Sequence, residues 1–224
     1  MKFIHIVVFF ISTSAFAVPI DPTKFSAPIR VACIGDSITV GVGAKPGYSY
    51  PAQLQKLLGK QWQVNNFGVS ARTLLRKGNL PYWKEKAFTN ALSYSPDVVI
   101  ILLGTNDSKP QNWRYGNDFA KDYIDFVNVF LRLPKKPFVF ICHPPPVPNP
   151  GNYGINEAVV DKEIPIIDRI AAEFQLGVID MHAVLDGKPQ LLPDRVHPNS
   201  EGAQEMAKAA FRALTGKEAQ TPKL

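Results

Sequence analysis

Val98-Val99-Ile100-Ile101-Leu102-Leu103 is an unbroken apolar run, with Asp97 before it and Gly104-Thr105-Asn106-Asp107 after it. It is too short for a membrane span and rich in β-branched residues, and it does not alternate in polarity. That combination predicts a parallel strand buried on both faces. Comparable short runs occur at Ile29 to Ile34, Gln63 to Asn66, Phe138 to Cys142 and Gly177 to Ile179. Between them lie longer amphipathic stretches. Pro51 to Leu58 follows a cap candidate, Ser49, and tolerates proline in its first turn. Asp118 to Leu131 sets Phe119, Tyr123, Phe126, Val127 and Phe130 at helical spacing. Glu157 to Phe174 is similar, with Pro165 expected to kink or split it, and Ser200 is expected to cap a last helix ending at Leu214. Strand and helix in alternation predict an α/β fold, a parallel sheet covered on both faces.

The N-terminus reads differently. Met1-Lys2 is basic, Phe3 to Ile11 is apolar apart from His5, and small residues lead to Ala15-Phe16-Ala17. This order predicts a cleaved export signal over residues 1–17, hence a secreted or periplasmic protein. The apolar run is well short of the roughly 20 residues that span a bilayer, so no stable membrane insertion is expected after cleavage. The expected organisation is a leader at 1–17, an N-terminal extension at 18–28, one domain at 29–214 and a polar tail at 215–224. Losing Lys2 lowers the net charge of +6 by one. The remaining basic residues are scattered, with no run beyond Lys135-Lys136, so nucleic acid is not an expected partner.

The chemistry is expected where strands end. The first strand runs into Gly35-Asp36-Ser37. Glycine there permits a sharp turn, and a serine after it is presented at the carboxyl edge of the sheet. The same serine also reads as an ordinary helix cap. Gly41-Val42-Gly43 is not a dinucleotide fingerprint, because the third glycine is missing, and no Walker lysine motif is present. A nucleophilic serine needs a base, and four histidines are available: His5, His143, His182 and His197. His5 leaves with the leader. His197 stands three residues after Asp194, in a loop flanked by Pro193 and Pro198. A carboxylate at that spacing can hold one ring nitrogen and leave the other for the serine. His182 and His143 lack a local partner and read first as structural, although His143 also ends a strand and can line a pocket. Two further sites follow strands: Asn66-Phe67-Gly68-Val69-Ser70 and Gly104-Thr105-Asn106-Asp107. The Gly68 amide and the Asn106 side chain are donors suited to an oxyanion, and both residues are equally turn formers. No HExxH or CxxC pattern points to a metal, and neither metal nor cofactor is expected.

Gly35-Asp36-Ser37, Gly68, Gly104-Thr105-Asn106-Asp107 and Asp194-x-x-His197 together resemble the four sequence blocks of the SGNH (GDSL-like) hydrolase superfamily, over residues 29 to about 214. The resemblance implies a three-layer α/β/α, flavodoxin-like fold with a five-stranded parallel sheet in the order 2-1-3-4-5. It implies Ser37 as nucleophile, His197 as base and Asp194 as the residue that orients it. The oxyanion hole it implies consists of the Ser37 amide, the Gly68 amide and the Asn106 side chain. Ala71 departs from the pattern, because relatives often carry glycine there.

That sheet order bears on the two cysteines. Cys33 on strand one and Cys142 on strand four would be separated by strand three, about 10 Å or more. A disulfide needs less than about 7 Å, so both are expected as buried free thiols.

The Gly-Thr-Asn-Asp block followed by Gln111-Asn112-Trp113 looks like bacterial carbohydrate or sialate O-acetylesterases. An O-acetylated small molecule or oligosaccharide is therefore the expected substrate. Trp113, Tyr115 and Tyr153 are candidates to stack on a sugar or simply to pack their loops; His143 joins Trp113 and Tyr153 as a candidate substrate-binding residue. A lysophospholipase or thioesterase with a broader acyl pocket is the alternative enzyme, and a non-catalytic carbohydrate-binding relative is the alternative of another class. The stiff Pro144 to Pro150 loop is expected to border the site.

Overall fold

The protein is described by a computed structural model, covering residues 19–219. The leader read at residues 1–17 and the end of the tail lie outside the described residues. In chain order the main elements are β1 (Ile29–Gly35), α1 (Ser37–Val40), α2 (Tyr50–Leu58), β2 (Trp62–Gly68), α3 (Lys86–Ser93), β3 (Val98–Leu102), α4 (Pro110–Trp113), α5 (Phe119–Leu131), β4 (Phe138–His143), α6 (Glu157–Phe174), β5 (Gly177–Asp180) and α7 (Ser200–Thr215). The five strands form one parallel sheet in the order β2-β1-β3-β4-β5. This is the parallel α/β sheet that the alternation of strands and helices predicts, in the strand order that the family resemblance implies.

The apolar run at 98–103 works as its composition requires. Val98, Ile100 and Leu102 join one core with Val31, Cys33, Phe140, Cys142 and Ile179, under α2 and α7. Val99, Ile101 and Leu103 face the other way, into a core with Ile34, Ile141 and residues of α3, α5 and α6. Strand alternation sends successive side chains to opposite faces, so a strand covered by helices on both sides must be apolar at every position. In α5 the predicted stripe Phe119, Tyr123, Phe126, Val127 and Phe130 is buried throughout. β2, at the sheet edge, is mostly half-exposed, which is why its sequence is the most polar of the five.

Four local readings change. Pro165 does not split α6, which runs unbroken through it. Pro165 and Asp161 both face solvent, so water can satisfy the Asp161 carbonyl that proline leaves without an N–H. The cap of α7 is Asn199, not Ser200, since its side chain accepts from the amides of Glu201 and Gly202. Ser49 precedes α2 as expected but makes no side-chain cap bond. The segment before β1 is packed onto the domain: Ile20 is buried, and its amide donates to the Leu214 carbonyl at 2.8 Å.

Cys33 and Cys142 are both free and fully buried. Burial pushes the Cys33 thiol up to about 12 against a weaker opposing bond with Tyr50, and it raises Cys142 well above the usual range.

Candidate active site

The site forms along the carboxyl ends of β1, β2 and β3 and the loop before α7. β1 and β3 pair up to Gly35 and Leu102, and past that point both chains must turn away. A side chain on Gly35 would strike the Thr39 side chain and the Leu102 carbonyl, so only glycine allows so tight an exit. Asp36 then caps α1, its Oδ1 accepting from the Ile38 amide at 2.9 Å. This fixes Ser37 as the first helical residue, 8% exposed. Among the described residues, the Ser37 amide makes no hydrogen bond.

The loop before α7 brings the imidazole to that serine. Ser37 Oγ lies 2.8 Å from His197 Nε2, and His197 Nδ1 lies 2.6 Å from Asp194 Oδ2. The other carboxylate oxygen, Oδ1, accepts from the backbone amides of Val196 at 3.0 Å and His197 at 2.7 Å. Burial alone would raise the Asp194 carboxyl; these hydrogen bonds, the His197 ring foremost, outweigh it and hold the group below its usual range. An ionised Asp194 makes Nδ1 the donor and leaves Nε2 to accept the serine proton.

Asn106, 3% exposed, is held on Asp36, the residue before the serine. Its Nδ2 donates to Asp36 Oδ2 at 3.0 Å, and its carbonyl accepts from Asn112 Nδ2 at 2.8 Å. One Nδ2 hydrogen is thus spent on orientation and the second is left for a ligand. Gly104, just before, has φ +132, and a side chain there would meet the Glu163 carboxyl. Asp107 turns away from the site and accepts from the amides of Leu74 at 2.9 Å and Leu75 at 2.7 Å, tying the β3 exit to the β2 exit. Burial raises Asp36 to about 6 and Asp107 to about 7, each opposed chiefly by backbone hydrogen bonds.

Not every expected residue sits as expected. The Gly68 amide is not open: it donates to Asn66 Oδ1 at 2.9 Å, while Asn66 Nδ2 donates to the Thr39 carbonyl at 2.6 Å. It reaches an oxyanion only by exchanging that local bond. Ala71, where relatives often carry glycine, has φ +67. That left-handed backbone costs an L-residue about 1 kcal/mol and glycine almost nothing, which explains the glycine elsewhere. Both ring nitrogens of His143, a candidate substrate contact, face carboxylates: Asp168 at 2.8 Å and Asp180 at 3.2 Å. Trp113, another candidate contact, is half-buried. Its ring lies 5.6 Å from Phe119 and flush against Gly116, so it packs toward the α5 core. Tyr153 does reach the site. Its ring is 5.7 Å from the His197 ring, its hydroxyl is 3.4 Å from Asp194 Oδ2, and it is 58% exposed.

The Pro144 to Pro150 loop leads into this wall. Asn152 Nδ2 donates to the Asp194 carbonyl at 3.0 Å, and the Asn156 amide donates to Ser108 Oγ at 3.0 Å. The loop therefore bridges the base loop and the Asn106 loop. A cleft of about 510 Å³ opens beside it, lined by Pro110, Val147, Gly154, Ile155 and Asn156 among others. It contains neither Ser37 nor His197 but adjoins the site through Gly154, next to Tyr153. Among the described residues, Glu157, Asp161 and His182 bring metal-type donor atoms within 4.8 Å of one another. Glu157 is already engaged there, with His182 Nε2 at 2.9 Å on one oxygen and the Val147 amide at 2.7 Å on the other.

Asp36, Asn66, Asp107 and Asn152 have roles that the sequence reading did not assign. The first three lie within the blocks and Asn152 lies outside them, and each has a partner distant in the chain: Asn106 for Asp36, Thr39 for Asn66, Leu74 and Leu75 for Asp107, and Asp194 for Asn152.

Relatives bear on this geometry. The chain is 43% identical to an acetylxylan esterase of Xylanibacter ruminicola, covering 86% of this chain and 44% of that protein. It is 26% identical to a multidomain esterase of Ruminococcus flavefaciens, covering 84% of this chain and 28% of that protein. It thus spans less than half the length of either curated relative. Its fold matches an acetylxylan esterase from Geobacillus stearothermophilus with a TM-score of 0.67 at 22% identity, over 89% of this chain and all of that one. The GDSL-like lipase/acylhydrolase family model matches residues 33–205, and the chain belongs to that family.

Proposed function

We propose that the protein is a serine carboxylic-ester hydrolase that removes O-acetyl groups from carbohydrate, with Ser37 as nucleophile, His197 as base and Asp194 as its orienter. One observation carries the reading: the relay Ser37 Oγ to His197 Nε2 at 2.8 Å and His197 Nδ1 to Asp194 Oδ2 at 2.6 Å, with Asn106 Nδ2 held on Asp36, next to Ser37 in the chain. His197 takes the Ser37 proton as Oγ bonds to the ester carbonyl carbon. Negative charge on the carbonyl oxygen is met by the Ser37 amide, the free Nδ2 hydrogen of Asn106 and, once released from Asn66, the Gly68 amide. The alkoxide leaves with the proton from His197, and an acetyl group remains on Ser37. Water, deprotonated by His197, then attacks that acyl-enzyme and restores Ser37.

The substrate class rests on the relatives. The relative at 43% identity bears the name acetylxylan esterase, which favours an acetylated polysaccharide or its fragments over a lipid. Tyr153, beside the relay and open to solvent, is the aromatic surface best placed for a sugar. Export belongs to the same reading, with the leader at residues 1–17, the catalytic domain at 29–214 and action outside the cytoplasm. Among the described residues no helix is long and apolar enough to cross a membrane.

The test is turnover of p-nitrophenyl acetate, butyrate and octanoate, and acetate release from acetylated xylo-oligosaccharides, by the wild type and Ser37→Ala. Each CH₂ buried in an acyl channel is worth about 0.8 kcal/mol, so a lipase-like or thioesterase site gains in kcat/KM with chain length. The expected result is the reverse: loss from acetyl to butyryl, near absence on octanoyl, and no turnover of any ester by Ser37→Ala. No turnover by the wild type would point to a carbohydrate-binding relative instead.

A further inference from the structure

The Asp194 carboxylate carries more donors than a base–orienter pair requires. Oδ1 takes two backbone amides, and Oδ2 takes the His197 ring. Oδ2 also faces the Tyr153 hydroxyl at 3.4 Å, and the Tyr153 ring tilts at 57° to the imidazole, 5.7 Å away. A residue tied on one side to the acid and the base would ordinarily be covered. Tyr153 is 58% exposed, the most exposed large apolar side chain among the described residues.

Its backbone is held unusually as well. Tyr153 has φ +55, followed by Gly154 at φ +77. A bulky residue seldom adopts that left-handed region, at a cost of about 1–2 kcal/mol. Asn152 keeps it there: its Oδ1 accepts from the Tyr153 amide at 2.8 Å, while its Nδ2 donates to the Asp194 carbonyl at 3.0 Å. The loop thus spends strain and two hydrogen bonds to set one ring at the mouth of the site. Gly154, the next residue, lines the adjoining cleft.

We propose that Tyr153 is a positioning residue that couples the sugar to the base: its ring takes the sugar face on the open side, and its hydroxyl steadies the Asp194 oxygen that holds His197. This rests on the esterase reading above. A 3.4 Å contact has slack, and a sugar seated on the ring takes it up by pressing the hydroxyl toward Oδ2. The charged groups around the pair are Asp36, whose field acts with His197, together with Lys109, which is coupled to Asp36, and Arg195 in the same loop. None of them replaces the phenol as a donor to Oδ2.

Tyr153→Phe keeps the ring and removes only the hydroxyl; Tyr153→Ala removes both. With p-nitrophenyl acetate, which brings no sugar, Tyr153→Phe is expected to lower kcat by about threefold to tenfold, the worth of one partly exposed hydrogen bond. The low-pH limb of its kcat/KM profile should move to higher pH, because a carboxylate with one donor fewer holds the imidazolium proton more firmly. With acetylated xylo-oligosaccharides, Tyr153→Phe should keep a KM near that of the wild type, and Tyr153→Ala should raise it. A wild-type limb and wild-type kcat in Tyr153→Phe overturn the proposal, since a merely stacking or structural tyrosine leaves both in place. An equal KM rise in the two variants overturns the stacking half. Turnover that survives Ser37→Ala would instead bring down the esterase reading, and this inference with it, a result readable before Tyr153 is touched.

Discussion

Asp194→Asn replaces one oxygen of the relay by an amide, and the loop dictates which one. Two backbone donors, the amides of Val196 and His197, point at Oδ1 from 3.0 and 2.7 Å. An asparagine NH₂ there would set donor against donor twice, so the carbonyl oxygen must take the Oδ1 place. The NH₂ then occupies the Oδ2 place, 2.6 Å from His197 Nδ1. Nδ1 can meet it only as an acceptor. The ring proton moves to Nε2, which now donates toward Ser37 and can no longer take its proton. A wrong tautomer in an otherwise intact relay of this kind costs about 10⁴ in kcat, equivalent to about 5.5 kcal/mol of transition-state stabilisation. The assay is kcat on p-nitrophenyl acetate near neutral pH, beside a thermal melt. The two backbone bonds survive in the variant, so its melting temperature should stay within a few degrees of the wild type while activity collapses. His197→Ala, which has no ring at all, should fall further. Activity within tenfold of the wild type, in a variant that melts normally, would refute the assigned role of Asp194.

Further expectations follow from the same geometry. Asn106→Ala removes a preorganised oxyanion donor and should lower kcat about 10²- to 10³-fold with little change in KM; an effect mainly on KM would mean that Asn106 binds ground-state substrate instead. Cys33 and Cys142, both buried and free, should react with a thiol reagent only after denaturation, giving two modified residues without prior reduction. Glu163 is fully buried, neither oxygen has a hydrogen-bond partner, and burial raises its pKa well above the ordinary value of 4.5. A raised pKa gives stability that is complete below the unfolded-state pKa and is lost as pH rises toward the folded one, at about 1.4 kcal/mol per pH unit. Denaturant melts from about pH 5 to about pH 8 should therefore show the wild type losing stability relative to Glu163→Gln; parallel curves would mean that Glu163 is ionised in the fold.

Much of this was legible in the chain, for a physical reason. A sheet covered on both faces forces unbroken apolar strands such as 98–103, and helices lying on it force stripes such as that of α5, so composition and spacing give both away. The exits of β1, β2 and β3 are legible too, because a tight turn at a sheet edge restricts residue type, as at Gly35. Long-range pairing was not legible. His143 gave no hint of Asp168 and Asp180, which lie on α6 and at the end of β5. Trp113 looked like a platform after the Asn106 block, yet Gly116 lets its ring fold onto the α5 core. The α7 cap was a choice between neighbours, Asn199 and Ser200, that only backbone geometry decides. α3 was not read at all: Phe88, Ala91 and Leu92 have helical spacing, but Lys86, Thr89, Asn90 and Ser93 blur it.

Three acids below the site explain why its polar blocks hold residues that no reaction step uses. Asp36 and Asp107 follow the exits of β1 and β3, and Glu163 reaches them from α6, where it packs on Gly104. Burial raises all three; the charge of Asp36 raises Asp107 further, and Asp36 and Asp107 together raise Glu163. Asp36 and Asp107 tolerate charge because each accepts hydrogen bonds: one from the Ile38 amide and Asn106, the other from the Leu74 and Leu75 amides. Glu163 has no such donors, so burial disfavours its charged form most strongly of the three. An apolar residue in place of Asp36 would remove a buried carboxylate, but it would leave the Ile38 amide without its cap and free the Asn106 amide to rotate. Preorganisation of an oxyanion donor depends on that amide being fixed before the substrate arrives. Asp36 therefore serves the fold, through the Ile38 amide that it caps, and the proposed oxyanion donor, through Asn106.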